Sequence, residues 1–209
     1  VNKPSILGMI WRPRIELERI RIQPVIWLPF IILSLFHLLG ILFVSRVKTE
    51  EWPLNAVQTP PIISYTYLPV NALLVDLLTF WIGIFVIALI VYAIAKAFRQ
   101  QISLLQVFSL SIFLQVIPTI GLAIQALAHV LEWGEAFFSY SLQDLLHLST
   151  GHFSFVFGYI TIFTIWNWVI AVIGYQKVIS LPILLAFVIT IILWYLPLSI
   201  NFLIVTPIG

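Results

Sequence analysis

Charge is what this sequence has least of. Asp, Glu, Lys and Arg make up 9% of its 209 residues, where a soluble domain carries about a quarter. So few charged groups cannot cover a water-facing surface. With 62% hydrophobic residues, the apolar excess has to face lipid. Cysteine is absent, which excludes disulfides, zinc–thiolate centres, iron–sulfur clusters and a cysteine nucleophile. The signatures GxSxG, GxxxxGKS/T, HExxH and GxGxxG are absent too, so neither an enzyme nor a cofactor is expected. Basic residues are few and lie beside apolar runs, so nucleic acid is not an expected partner. The first twenty-odd residues are the most charged stretch and lack the apolar core and small-residue cleavage site of a signal peptide.

What the sequence has in abundance is long apolar runs. A helix needs about 20 apolar residues to cross a bilayer. Candidate spans cover 24–44, 69–95, 103–131, 153–175 and 181–205. The expectation is an all-α integral membrane protein with five transmembrane helices, preceded by a short interfacial helix. Residues 1–23 form the cytoplasmic or interfacial segment and residues 24–209 a single five-helix membrane domain. The third run is long, and Pro118 removes a backbone hydrogen bond near its middle, so a kinked or broken helix is an open alternative there.

The charges sort by side. Lys3, Arg12, Arg14, Arg19 and Arg21 precede the first run, Lys96 and Arg99 follow the second, and Lys177 follows the fourth. Only Arg46 and Lys48 fall on the other side, with Glu50, Glu51, Glu132, Glu135 and Asp144. Positive loops stay in the cytoplasm, so the N-terminus is expected inside and the C-terminus outside. Within the basic segment, WRPRIELERIRI (11–22) has Pro13 at a first helical position, acids early and arginines late. Leu17 and Ile20 share a face. Arg12, Arg14, Arg19 and Arg21 are the candidate contacts to anionic lipid head groups. The plainer reading makes them an orientation signal, and the two readings are compatible.

Polar residues inside the runs are the candidate sites. Asp76 is the one aspartate in a span, with Asn71 as a near neighbour on its own helix. Intramembrane carboxylates are costly and often functional. Asp76, Gln115, Asn167 and Asn201 form the candidate intramembrane polar site. Ser34, His37 and Gln125 complete the set, for which hydrogen bonding between helices is the plainer role. His129, Glu132, His147 and His152 are weak metal candidates. Their plainer reading is polar residues at a membrane edge, and no metal is expected. Ala93 and Ala97 form a small-xxx-small step that would let a helix approach closely.

Three longer stretches resemble a known family. They are WRPRIELERIRIQPVIWLPF (11–30), RQQISLLQVFSLSIFLQVIPTIG (99–121) with Pro118 in mid-span, and IWNWVIAVIGYQKVISLPILLAFVI (165–189) with Trp168, Gly174 and Tyr175. Together they resemble the bacterial branch of the Yip family, five-span membrane proteins first named as Ypt/Rab interactors. The Asp-Leu-Tyr-Gly-Pro motif and acidic cytoplasmic arm of the eukaryotic branch are missing, which implies a multi-pass protein of the bacterial plasma membrane. The resemblance implies a non-enzymatic adaptor that packs against other integral membrane proteins, such as an accessory subunit of an ABC-type exporter. A small-solute or ion transporter is the alternative. A membrane-embedded enzyme using the His/Glu/Asp cluster stands third.

Overall fold

The computed structural model describes residues 3–44, 70–130, 141–147 and 156–205. Among them there is no strand. The helices are α1 (Ile6–Trp11), α2 (Pro13–Ile22), α3 (Trp27–Val44), α4 (Val70–Ala97), α5 (Leu104–Leu114), α6 (Val116–Val130), α7 (Leu142–Leu145), α8 (Ile162–Ile179) and α9 (Ile183–Val205). Leu73–Ala97, Leu104–Ile124 and Ile162–Ile179 are each long and apolar enough to cross a membrane. Trp27–Leu42 and Ile183–Tyr195 are shorter apolar helices. This is a helical membrane protein.

Local chemistry sets the helix ends. Pro13 occupies the first turn of α2, where its missing N–H costs no bond. The third apolar run is two helices, interrupted at Gln115. Pro118 explains the break: it has no N–H for the Leu114 carbonyl and its ring crowds that oxygen. The Gln115 carbonyl instead accepts from Thr119 N at 3.0 Å. The fourth run is interrupted: residues 156–158 are helical, Tyr159 is a turn, and α8 starts at Ile162. Thr161 caps α8, its hydroxyl accepting from Thr164 N at 3.3 Å. Helix α4 ends in a Schellman turn: Gln100 N donates to Ala95 O and Arg99 N to Lys96 O. The left-handed position of that turn is held by Arg99, with φ 57°, where glycine is usual.

The chain falls into two compact units. The first comprises residues 1–26, 84–114 and 167–209. Its core holds Met9, Leu17, Ile20, Val91, Val107, Leu110, Phe113, Ile170 and Ile179. Small buried residues, among them Ala88, Ala95, Ser109, Ala171 and Gly174, let helices approach closely, as membrane helix packing requires. Gly174 shows why: a Cβ there would lie 2.8 Å from Leu110 Cδ1 and 3.3 Å from Leu17 Cδ2. The segment 23–26 is not helical, and Ser109 satisfies its backbone. The Ser109 hydroxyl accepts from Val25 N at 3.2 Å and donates to Val25 O at 2.8 Å. Gln106 Nε2 donates to Arg21 O at 2.6 Å.

The second unit comprises residues 27–83 and 115–166. Helix α3 packs on α6 at Gly40, where a Cβ would lie 2.9 Å from Leu122. Gly121 of α6 makes room for the Phe163 ring in the same way, at 3.1 Å.

Candidate functional site

The polar groups of the second unit gather between α3 and α4. His37 Nε2 lies 2.8 Å from Asp76 Oδ2. One turn earlier on α3, Ser34 accepts from Trp81 Nε1 at 2.9 Å and donates to Phe30 O at 2.7 Å. Aromatic rings complete the arrangement. Phe80 stacks on His37 at 4.1 Å, and Trp81 stacks on Phe30 at 4.0 Å. A helix pair in hydrocarbon has no hydrophobic drive to associate, so hydrogen bonds and close packing must hold it. These bonds join α3 to α4.

The pair is open on one side. The His37 side chain is 15% exposed and that of Asp76 43%. Among the described residues, Asp76 Oδ1 has no donor. The first helical residue of α4 is Val70, about 9 Å along the axis from Asp76. The arrangement therefore offers a half-open carboxylate on a helix face, steadied by an imidazole behind it.

The structure places some of the candidates named from the sequence. Asp76 is bonded to His37, which the sequence alone left among the helix-pairing residues. Gln115 is half-buried at the α5–α6 interruption. Asn167 lies on α8, its Oδ1 buried and without a partner among the described residues, as is Nε1 of the adjacent Trp168. Trp168 packs edge-on against Trp194 of α9, ring centroids 5.0 Å apart. Asn201 falls within α9, and its side chain lies outside the described residues, as do those of Gln125 and His129. Glu132 and His152 are also outside them. His147 is exposed, with φ 51°. Among the described residues no three His, Asp or Glu side chains converge as metal ligands.

The N-terminal basic segment is a helical hairpin, and its arginines differ from one another. Glu16 is buried and fastens α1 to α2. Its Oε2 accepts from Ser5 N at 2.7 Å and its Oε1 from Arg19 Nη1 at 2.7 Å. Gly8 lies directly against this carboxylate, and a Cβ there would overlap it. Arg19 is thereby committed within the protein, whereas Arg12, Arg14 and Arg21 are exposed. Glu18 pairs with Lys177 of α8 at 2.9 Å. Sequence reading missed the role of Glu16. Its spacing from Arg19 was visible, but Ser5 lies eleven residues away, at the N-cap of α1.

Helix α4 is the least covered of the membrane-length helices. Ile84, Ala88, Val91 and Ala95 are its buried face. On the other side, Asp76, Thr79, Gly83, Val86, Ile90, Ala93 and Ala97 follow one another at steps of three and four, all exposed or half-exposed. A Cβ added at Gly83 would meet nothing within 4 Å.

Known proteins agree with this picture of a helical membrane protein. The sequence model of the Yip1 domain matches residues 7–204. Membrane protein YknW of Bacillus subtilis (strain 168) is 25% identical over 185 residues, covering 84% of this chain and 79% of YknW. No solved structure matches the chain.

Proposed function

We propose, because the chain belongs to the Yip1 domain family, that it is a non-enzymatic multi-pass adaptor that packs against another integral membrane protein. In this reading α3, α4, the α5–α6 pair, α8 and α9 cross the membrane. The basic hairpin lies on the cytoplasmic side, the C-terminus outside, and the membrane is a bacterial plasma membrane.

One observation carries the reading: the exposed seam on α4 from Asp76 to Ala97. Residues recurring every three and four positions lie along one line of a helix and match the packing of a second helix in a left-handed crossing. Four of the seven are small, namely Thr79, Gly83, Ala93 and Ala97. Small residues let a partner backbone come close, which is where dispersion between membrane helices is strongest. A seam meant only for lipid has no need of them. The neighbouring exposed stripe of the same helix carries Leu78, Phe85 and Leu89 instead. Asp76 at the end of the seam suits a hydrogen-bond donor on the partner helix. An ABC-type exporter is the partner class that the family resemblance implies, with this chain as its accessory subunit. The transporter alternative would need Asp76, Gln115, Asn167 and Asn201 around one water path, and Asp76 is already bonded to His37.

A photo-crosslinking residue placed at Ala93 should trap a membrane protein in the native membrane, and the same residue at Leu89 should not. Gly83→Leu should then abolish the adduct while leaving the chain inserted. Equal trapping from Ala93 and Leu89, or none from either, would count against the adaptor.

A further inference from the structure

The α1–α2 hairpin has two amphipathic faces rather than one, and only the first is used inside the protein. Successive helical residues turn by about 100°. On α1, Met9 points into the core, and Leu7 and Trp11 share the opposite side. On α2, Glu16, Leu17 and Ile20 are buried. The outward half of α2 splits lengthwise: Ile15 and Ile22, seven residues apart, form an apolar edge, and Arg14 and Arg21, also seven apart, form a basic one. Leu7, Trp11, Ile15 and Ile22 are 69%, 79%, 45% and 66% exposed. Four large apolar side chains so open are out of place in water.

Position and charge say what covers them. Residues 23–26 are all that separates α2 from the apolar helix α3, a reach of at most about 18 Å. Gln106 and Ser109 of α5 shorten that leash by holding the Arg21 carbonyl and the Val25 backbone. The hairpin is therefore held at the membrane boundary. Its two acids, Glu16 and Glu18, are engaged by Arg19 and Lys177. Arg12, Arg14 and Arg21 are left exposed beside the apolar edge, with no acidic partner among the described residues.

We infer that this outer face is a binding platform for anionic phospholipid. Leu7, Trp11, Ile15 and Ile22 enter the acyl boundary, and Arg12, Arg14 and Arg21 meet the head-group phosphates. Apolar side chains flanked by arginine are the pattern of a helix lying in a bilayer interface. Arginine suits phosphate because its planar fork donates two parallel hydrogen bonds. Arg19 takes no part, because Glu16 holds it. The inference stands apart from the adaptor reading, since it uses neither α4 nor a protein partner.

The test uses the full-length chain in nanodiscs of phosphatidylcholine, with or without phosphatidylglycerol, and reads hydrogen exchange over residues 6–22. Wild type should exchange more slowly when phosphatidylglycerol is present. Each basic residue near an anionic surface contributes about fivefold in binding, so R12Q/R14Q/R21Q should lose roughly a hundredfold of the preference. The charge-conserving R12K/R14K/R21K should retain most of it, and 0.5 M salt should erase it in the wild-type chain without any substitution. Three results would overturn the inference. One is equal exchange of wild type in both nanodiscs. Another is an undiminished response in the glutamine variant. The third is the same slowing from inorganic phosphate over phosphatidylcholine alone, which would assign the arginines to a free anion.

Discussion

Replacing His37 by phenylalanine isolates the hydrogen bond that joins α3 to α4. Phenylalanine keeps a flat ring of similar size against Phe80, which now lies 4.1 Å from the imidazole. The 2.8 Å bond to Asp76 is lost. Breaking a fully buried ion pair by removing one partner costs about 3–5 kcal/mol. Asp76 is 43% exposed, so that figure is an upper limit here. Hydrogen bonds between membrane helices average about 0.6 kcal/mol and reach about 1.7. The bond to a carboxylate belongs near the top of that span, so His37→Phe should cost about 1–2 kcal/mol. Asp76→Leu should cost about 1 kcal/mol, because it leaves the less exposed imidazole without its acceptor. Together they should cost less than their sum by about 1 kcal/mol, since neither polar group then remains to be satisfied. Unfolding of the purified chain in mixed neutral-detergent and dodecyl sulfate micelles, followed by circular dichroism, gives all three numbers. Losses that add within about 0.3 kcal/mol would show that the two side chains do not interact, and would refute the assigned pairing.

Other outcomes follow from single positions. Gly8→Ala should separate α1 from α2, because its Cβ would occupy the place of the Glu16 carboxylate; faster hydrogen exchange over residues 5–11 would register it. Arg99→Gly should raise stability by up to about 1 kcal/mol, since an L-residue at φ 57° carries a strain that glycine lacks; the same micelle titration measures it. Pro118→Ala should restore the hydrogen bond from residue 118 to the Leu114 carbonyl and join α5 to α6. Its mark would be a slowly exchanging amide at position 118, and a rapidly exchanging one would contradict proline as the cause of the break.

Much of the helix inventory was legible because its causes are local. The break at Gln115 follows from Pro118, whose defect acts on a carbonyl four residues back. Pro13 likewise announces the start of α2. Other boundaries were hidden inside continuous hydropathy. The run beginning at Pro24 becomes helical only at Trp27, and the fourth run breaks at residues 159–161 before α8 starts at Ile162. Apolar composition cannot distinguish these cases, because residues before a helix can be as apolar as those within it. The Thr161 cap was present in the sequence, but a threonine among threonines and isoleucines carries little signal on its own.

The candidate site was legible in residue type and not in pairing. Asp76 stood out because a carboxylate in an apolar run is costly wherever the run goes. His37 did not, since nothing along the chain says that a residue thirty-nine positions away will lie 2.8 Å from it. The four arginines looked equivalent until Arg19 was found against Glu16. Leu17 and Ile20, which share a face of α2, are buried against the protein.

The sequence by itself therefore determined that this is a helical membrane protein, because run length and charge poverty are properties of the chain that the bilayer reads directly. Its stretches from Trp11 onward were also enough to resemble the family that a match over residues 7–204 then showed. Only the tertiary structure decided which polar groups satisfy one another, which arginines remain free and which helix face stays open. Those depend on which helices become neighbours, and in a membrane that choice rests on close packing at residues such as Gly174 and Gly121. Such contacts form between distant parts of the chain, and composition and periodicity do not encode them.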